Sequence, residues 1–150
     1  MFTGIIKVKR LHPQEVSQGV VSDIDALLRQ QHSKAKRLNA EKLISQSYKS
    51  KVVVAWNDGG RVIGIGVLVI VSALSHTFAS IHNLVVLKSS DRLSIGKRIV
   101  DALVDGVTDI EFIEVGVLPE DHGARDILIA SNFKTKRKIR YRLDYHPKHP

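Results

Sequence analysis

The sequence predicts an α/β fold: a mixed, mostly antiparallel central sheet with one splayed parallel pair of strands and helices on both faces. Three observations carry that prediction. First, Asn57-Asp58-Gly59-Gly60 separates two apolar, valine-rich runs, Lys51 to Trp56 and Arg61 to Val71. This is a hairpin signal, because Gly takes positive φ without penalty. Second, the chain from Ile81 to Val104 passes from an apolar run, His82 to Leu87, through a polar turn, Lys88 to Leu93, into helical spacing. Ile95, Ile99, Val100, Leu103 and Val107 then share one face. Third, another strand-like run, Ile110 to Leu118, follows that helix. A strand–helix–strand crossover should be right-handed with its two strands parallel. Where parallel pairing begins, strands can splay and open a crevice for a ligand.

The remaining elements follow in order. Gly4 to Leu11 reads as a first strand, and Pro13 suits the first turn of a helix in which Val16, Val20, Ile24, Leu27 and Leu28 recur at helical spacing through Gln31. A basic link, His32 to Arg37, leads to a short second helix that Asn39 can cap, with Leu38 and Leu43 placed for a hydrophobic staple. Arg61 to Val71 is apolar almost throughout, which argues for burial on both faces. Ser72 to Thr77 turns into the strand Phe78 to Leu87, and Pro119 to Gly123 precedes a helix from Ala124 to Ala130. Gly64 and Gly66 read as strand packing rather than as a nucleotide loop.

With 150 residues, 43% hydrophobic and 25% charged, the chain reads as a single domain, residues 1–150, of ordinary globular composition. It has no cysteine, which excludes disulfides, thiol nucleophiles and thiolate metal sites. The opening MFTGIIKVKR is too short an apolar stretch for a signal peptide, and no run is long enough to span a bilayer. A cytoplasmic protein with no membrane partner is the expectation. The seven histidines show no paired spacing with carboxylates, and His146 and His149 fall in a frayed-looking tail, so no metal site is expected.

The net charge of +8 is local. Lys134, Lys136, Arg137, Lys138, Arg140 and Arg142 supply +6 within nine residues, leaving +2 for the rest. In that segment Phe133, Thr135, Ile139, Tyr141, Leu143 and Tyr145 share one parity and most of the cations the other. Period-two alternation predicts a closing amphipathic strand with one solvated, basic face. Nucleic acid is not the expected partner, although attraction of an anionic ligand or partner through this face is the competing reading.

The strand–turn–helix at Ile81–Val104 presents free backbone N–H groups at a helix N-terminus, where phosphate is readily bound. Its spacing resembles the acyl-CoA signature of the GNAT superfamily of N-acyltransferases, a Val-Val strand end followed by Arg/Gln-x-x-Gly-x-Gly/Ala. Val85-Val86 keep the strand end and Ile95-Gly96 the end of the loop, while Asp91 falls where Arg or Gln is usual and Ser94 on the first glycine. A second signature, Asn-x-x-Ala with a Tyr four residues on and then Gly-Phe, is matched by Asp121-His122-Gly123-Ala124, Leu128 and Asn132-Phe133. The two together span residues 50–145.

The resemblance implies transfer of an acetyl group from acetyl-CoA to an amine acceptor, small molecule or protein, by direct attack in a ternary complex. It implies a diphosphate on the amides of Leu93, Ser94, Ile95, Gly96 and Lys97, with Arg92, Lys97 or Arg98 supplying positive charge and Asp91 turned to cap the helix. The pantetheine arm would run along Leu84, Val85 and Val86, and Asp121 would face the cofactor from the second signature. An N–H near Val86 would stabilise the developing oxyanion, a contribution of roughly 3–4 kcal/mol elsewhere. His82 lies where several members carry a Glu used as general base, and imidazole suits that task near neutral pH. Glu114 and Glu111 are alternatives on the next strand, and His122 is a further histidine candidate. Leu128 replaces the Tyr that commonly protonates the departing thiolate, and with Asp91 and Ser94 it keeps open a second reading: a weak or inactive acyl-CoA-binding module. The acceptor pocket would be lined by residues 32–49, including Tyr48, and the turn 72–77. Exposed strand edges are compatible with a homodimer.

Overall fold

A computed structural model of the chain describes residues 4–88 and 90–146. The first three residues of the opening segment, Ser89 of the polar turn and His149 lie outside the described residues. Five strands form one sheet in chain order: β1 Lys7–Arg10, β2 Lys51–Trp56, β3 Val62–Ser72, β4 Thr77–Val86 and β5 Ile113–Val115. The first four pair antiparallel, and β4 pairs with β5 in parallel. Helices α1 Gln18–Gln31 and α2 Ala40–Lys49 precede β2; α3 Arg92–Val104 makes the crossover from β4 to β5, and α4 His122–Ala130 follows β5. The predicted architecture is the observed one.

Two cores explain why. Val21, Ile24 and Leu27 of α1 and Leu43 of α2 pack on Val52, Val54, Val62, Ile65, Val67 and Val85. On the opposite face Ile95, Ile99, Val100 and Leu103 of α3 and Ile127 and Leu128 of α4 pack on Val53, Ala55, Ile63, Leu68 and Ile81. Strand β3 is covered from both sides, as its unbroken apolar run requires, and Val62 to Leu68 are all buried. Gly64 and Gly66 let α3 lie close on that strand: a Cβ on Gly64 would meet Ile99 Cδ1 at 2.8 Å, and one on Gly66 would meet Leu103 Cδ1 at 2.9 Å. No helix among the described residues is long and apolar enough to cross a membrane.

The differences from expectation lie at element ends. Pro13 opens a single 3-10 turn, Pro13–Glu15, and α1 starts afresh at Gln18, where the Ser17 side chain accepts the Val20 amide at 3.2 Å. Helix α3 begins at Arg92, two residues early, because Asp91 caps it. Strand β5 is three residues long rather than nine, and Asp109, four residues before it, lies in the left-handed region (φ 62). The closing basic strand is not formed: residues 134–146 carry no strand, and Ile139, Tyr141, Leu143 and Tyr145 are exposed. The alternation was real but β5 offers a short edge, so few ladder hydrogen bonds were on offer to a segment carrying six cations.

Candidate functional site

Parallel pairing ends at Ile81↔Val115, yet β4 continues to Val86 while the chain after β5 turns away. The strands therefore part, and a cleft of about 330 Å³ opens between Ile81–Leu84 on one wall and Val115–Leu118 on the other, with Asp121 and Ala124 of the α4 start and Leu28, Gln31 and His32 closing it. A β-bulge sets the geometry. Val67 is opposite His82 but Ile65 is opposite Val85, so β4 holds one residue more than β3 over this stretch. Asn83 takes up the excess in the left-handed region (φ 55), which Asn tolerates better than most side chains.

Backbone directions on β4 follow from its pairing. Val85 lies opposite Ile65, and the Leu87 amide donates to Ile63 O at 2.8 Å, so these residues face β3. Alternation turns the backbone groups of Leu84 and Val86 away from β3, and Leu84 lines the cleft. Their carbonyls are answered from α1: Gln30 Nε2 donates to Val86 O at 2.9 Å and Gln31 Nε2 to Leu84 O at 3.1 Å. Gln30 Oε1 also accepts the Lys88 amide at 3.1 Å. One carboxamide thus bonds O of residue 86 and N–H of residue 88, the pattern that a neighbouring parallel strand makes.

At the head of α3 the Asp91 carboxylate accepts the Ser94 amide at 3.3 Å, and Ile95 N donates to Asp91 O at 3.1 Å. Gly96 and Lys97 lie further inside the helix. Among the described residues the amides left over at this end are those of Arg92 and Leu93, and within the expected run from Leu93 to Lys97 those of Ser94 and Ile95 already bond Asp91. The Arg92 guanidinium crosses to α4 and fills the space beside Gly123. Arg98 is turned away and donates to Ile6 O at 2.9 Å, whereas Lys97 is exposed. Gly96 is buried against Ile127 of α4, so its missing side chain serves helix–helix approach. Asp121 caps α4 through the Ala124 amide at 3.1 Å while lining the cleft.

A second cavity, also about 330 Å³, lies on the α1/α2 face between those helices and β2–β4. Leu28, His82 and Asn83 line both cavities and so form their common wall. His82 is exposed on β4, with Nε2 2.9 Å from Ser80 Oγ. Glu114 is opposite Ser80 in the β4–β5 register and accepts Lys138 Nζ at 3.1 Å. Glu111 stands before β5, exposed, and His122 at the exposed α4 start lines neither cavity; Tyr48 is exposed and lines neither. Leu128 is buried in the α3/α4 core, outside the cleft lining. The expected acceptor segment contributes Lys36, Arg37, Leu38, Lys42, Leu43 and Gln46 to the second cavity, but the turn 72–77 contributes nothing.

Asp25 anchors that segment. Its carboxylate accepts the Leu38 amide at 2.9 Å and Arg29 Nε at 3.2 Å, with Arg37 3.6 Å away. The Leu38 bond, with the two guanidinium groups behind it, holds the carboxyl below the usual range against the opposing effect of burial. A lowered carboxyl contributes stability that is present above the unfolded-state pKa of about 3.9 and lost as pH falls through the folded value. Asp25→Asn is therefore expected to lower the urea midpoint at neutral pH and to flatten its fall on acidification below about pH 4. Identical acid limbs for both proteins would contradict this.

Gln30, Gln31 and Asn83 were not singled out from sequence, and His32 only as the start of the segment expected to line the acceptor pocket. Nothing in a Gln-Gln pair at a helix end announces that it will reach a strand some 50 residues away; the signal is tertiary. Comparison with known proteins agrees with the geometry. A model of the acetyltransferase (GNAT) family matches residues 21–128. Among solved structures, an aminoglycoside acetyltransferase from an uncultured soil metagenomic sample, in complex with sisomicin, is 18% identical over 95% of this chain and 97% of its own, with a TM-score of 0.75. Glucosamine-6-phosphate N-acetyltransferase from Arabidopsis thaliana is 14% identical over 93% and 98%, with a TM-score of 0.71. An acetyltransferase from Trypanosoma brucei is 15% identical over 93% and 100%, with a TM-score of 0.68. No curated protein sequence matches.

Proposed function

The chain belongs to the acetyltransferase (GNAT) family, and from that premise we propose that it transfers an acetyl group from acetyl-CoA to a primary amine in the cytoplasm. The observation that carries this reading is the pair of cavities meeting at Leu28, His82 and Asn83. A donor in the β4/β5 cleft and an acceptor under α1 and α2 would touch only there. Direct transfer needs such a junction, because the reacting atoms must come within roughly 3–3.5 Å.

Acetyl-CoA supplies an activated acetyl thioester. The chain supplies the rest. Arg92 and Leu93 amides, with the α3 dipole, would hold the diphosphate, and Lys97 and Arg92 would add positive charge. The Val86 N–H, on the side of β4 turned away from β3, would meet the charge that grows on the carbonyl oxygen. The amine nitrogen bonds to the acetyl carbon, the carbon–sulfur bond breaks, and the sulfur leaves as thiolate. The amine loses a proton, which His82 accepts at the nitrogen now turned to Ser80, or through an intervening water. Glu114 is the weaker candidate, because Lys138 already occupies its carboxylate.

A second reading, an acyl-CoA-binding module without turnover, is favoured by one observation: the position of the usual acid is Leu128, and among the described residues no Tyr lines the cleft. Titration calorimetry with acetyl-CoA and a thiol-release assay over an amine panel separate the two. Binding with turnover supports the enzyme, binding without turnover the module, and no binding at millimolar ligand removes both.

Asp91 gives a sharper test of the donor site. Asn caps a helix about as well as Asp, so Asp91→Asn keeps the bond to Ser94 and removes only the charge. Repulsion of about 1 kcal/mol at ~4 Å in water predicts roughly five-fold tighter acetyl-CoA binding. Unchanged affinity would place the diphosphate elsewhere.

A further inference from the structure

The second cavity sorts the charges of the segment that forms it. Residues 32–49 carry Lys34, Lys36, Arg37, Lys42 and Lys49 together with Glu41, a mixture with no evident meaning in sequence. Folded, Lys36, Arg37 and Lys42 line the cavity, and among the described residues none of its lining is acidic. Arg37 is partly matched by Asp25 at 3.6 Å, but Lys36 and Lys42 make no ion pair among the described residues. The floor is apolar, made by Ile24, Leu28, Leu43, Val52, Ile65 and Val67. Gln46 is the neutral polar group beside the cations, and His82 and Asn83 stand at the end that adjoins the cleft.

We propose that the acceptor is a small amine that also carries an anionic group, a carboxylate or a phosphate, on an apolar body. This rests on the acetyl-transfer reading above and specifies its acceptor. The anion sits among Lys36, Lys42 and Arg37, the body lies on the aliphatic floor, and the amino group reaches His82. A volume of about 330 Å³ is at the small end of ligand cavities, which run from roughly 300 to 1,000 Å³. Two cations without partners beside an apolar surface favour an incoming anion and oppose a polycation, since like charges brought together without compensation are repelled. The cavity is thus opposite in sign to what a polyamine acceptor needs.

The experiment pairs each anionic amine with a neutral counterpart: 6-aminohexanoate with 6-aminohexanamide for the carboxylate, and 6-aminohexyl phosphate with 6-aminohexanol for the phosphate. Sisomicin serves as the polycation. Two readouts are taken on the full chain, thiol release at saturating acetyl-CoA and the shift in melting temperature without acetyl-CoA. Expected is a preference of about ten-fold or more in kcat/KM for the anionic member of at least one pair, a larger thermal shift for the same member, and none for sisomicin. In Lys36→Ala/Lys42→Ala that preference should fall below about three-fold, as should its salt-sensitive part in wild type at high ionic strength. Equal thermal shifts within both pairs, a larger shift with sisomicin, or a preference that survives the double substitution overturns the proposal. Charge-selective thermal shifts without thiol release from any amine support the anion site and count against acetyl transfer, so the two readings fail separately.

Discussion

Replacing His82 by alanine is expected to lower kcat by about a hundred-fold or more while leaving KM for acetyl-CoA within about two-fold. The asymmetry is the point of the test. His82 belongs to the wall between the two cavities, not to the head of α3, so its loss should spare the diphosphate end of the donor and remove the proton acceptor beside the amine. His82→Gln sharpens the result: a carboxamide can keep a bond to Ser80 but cannot take a proton, so it should be nearly as slow as alanine. Glu114→Gln should cost far less, since Lys138 already engages that carboxylate. Steady-state thiol release with a saturating amine provides the measurement. A fall of less than about three-fold in both His82 variants would assign the base elsewhere, because a positioned base is worth roughly 10²–10⁴ in rate.

The second large effect concerns Gly96, and here two physical terms oppose each other. Ala in a helix interior is favoured over Gly by up to about 1 kcal/mol, so propensity alone makes Gly96→Ala stabilising. Against this, the added methyl would overlap Cδ1 and Cγ1 of Ile127, which is 2% exposed and has nowhere to retreat. Overpacking of this kind costs about 1–3 kcal/mol, so the net change is destabilising. Gly96→Ala should lower the urea midpoint, and Ile127→Ala in the same chain should recover part of the loss beyond the sum of the single effects. A stabilised Gly96→Ala, or strict additivity in the cycle, would show that α3 and α4 do not meet as closely as described. Gly96, named from the sequence among the amides for a diphosphate, has its missing side chain turned to the neighbouring helix.

The long-period features of the fold were legible because burial imposes them. The apolar run of β3, the Asn57–Gly60 turn and the Ile95/Ile99/Leu103 stripe each encode which face meets the core, and each appears where the pattern placed it. What escaped were features decided by partners distant in sequence. The basic segment 134–145 alternates like a strand, but a strand is a contract between two chains of hydrogen-bonding groups, and β5 offers only Ile113–Val115. The same is true at the site. The order strand–turn–helix and the position of His82 could be read directly, whereas Gln30 bonding to Val86 and the choice of which lysines face inward depend on how α1 and α2 settle on the sheet.

The last turn of α1 has a thermodynamic corollary. Leu28 forms part of both cavities, Gln30 and Gln31 secure the β4 edge, and His32 closes the cleft. A molecule entering either chamber that displaces this turn must alter the other chamber's shape. Linkage then requires reciprocity: whatever factor one substrate imposes on its companion's affinity, the companion returns in equal measure.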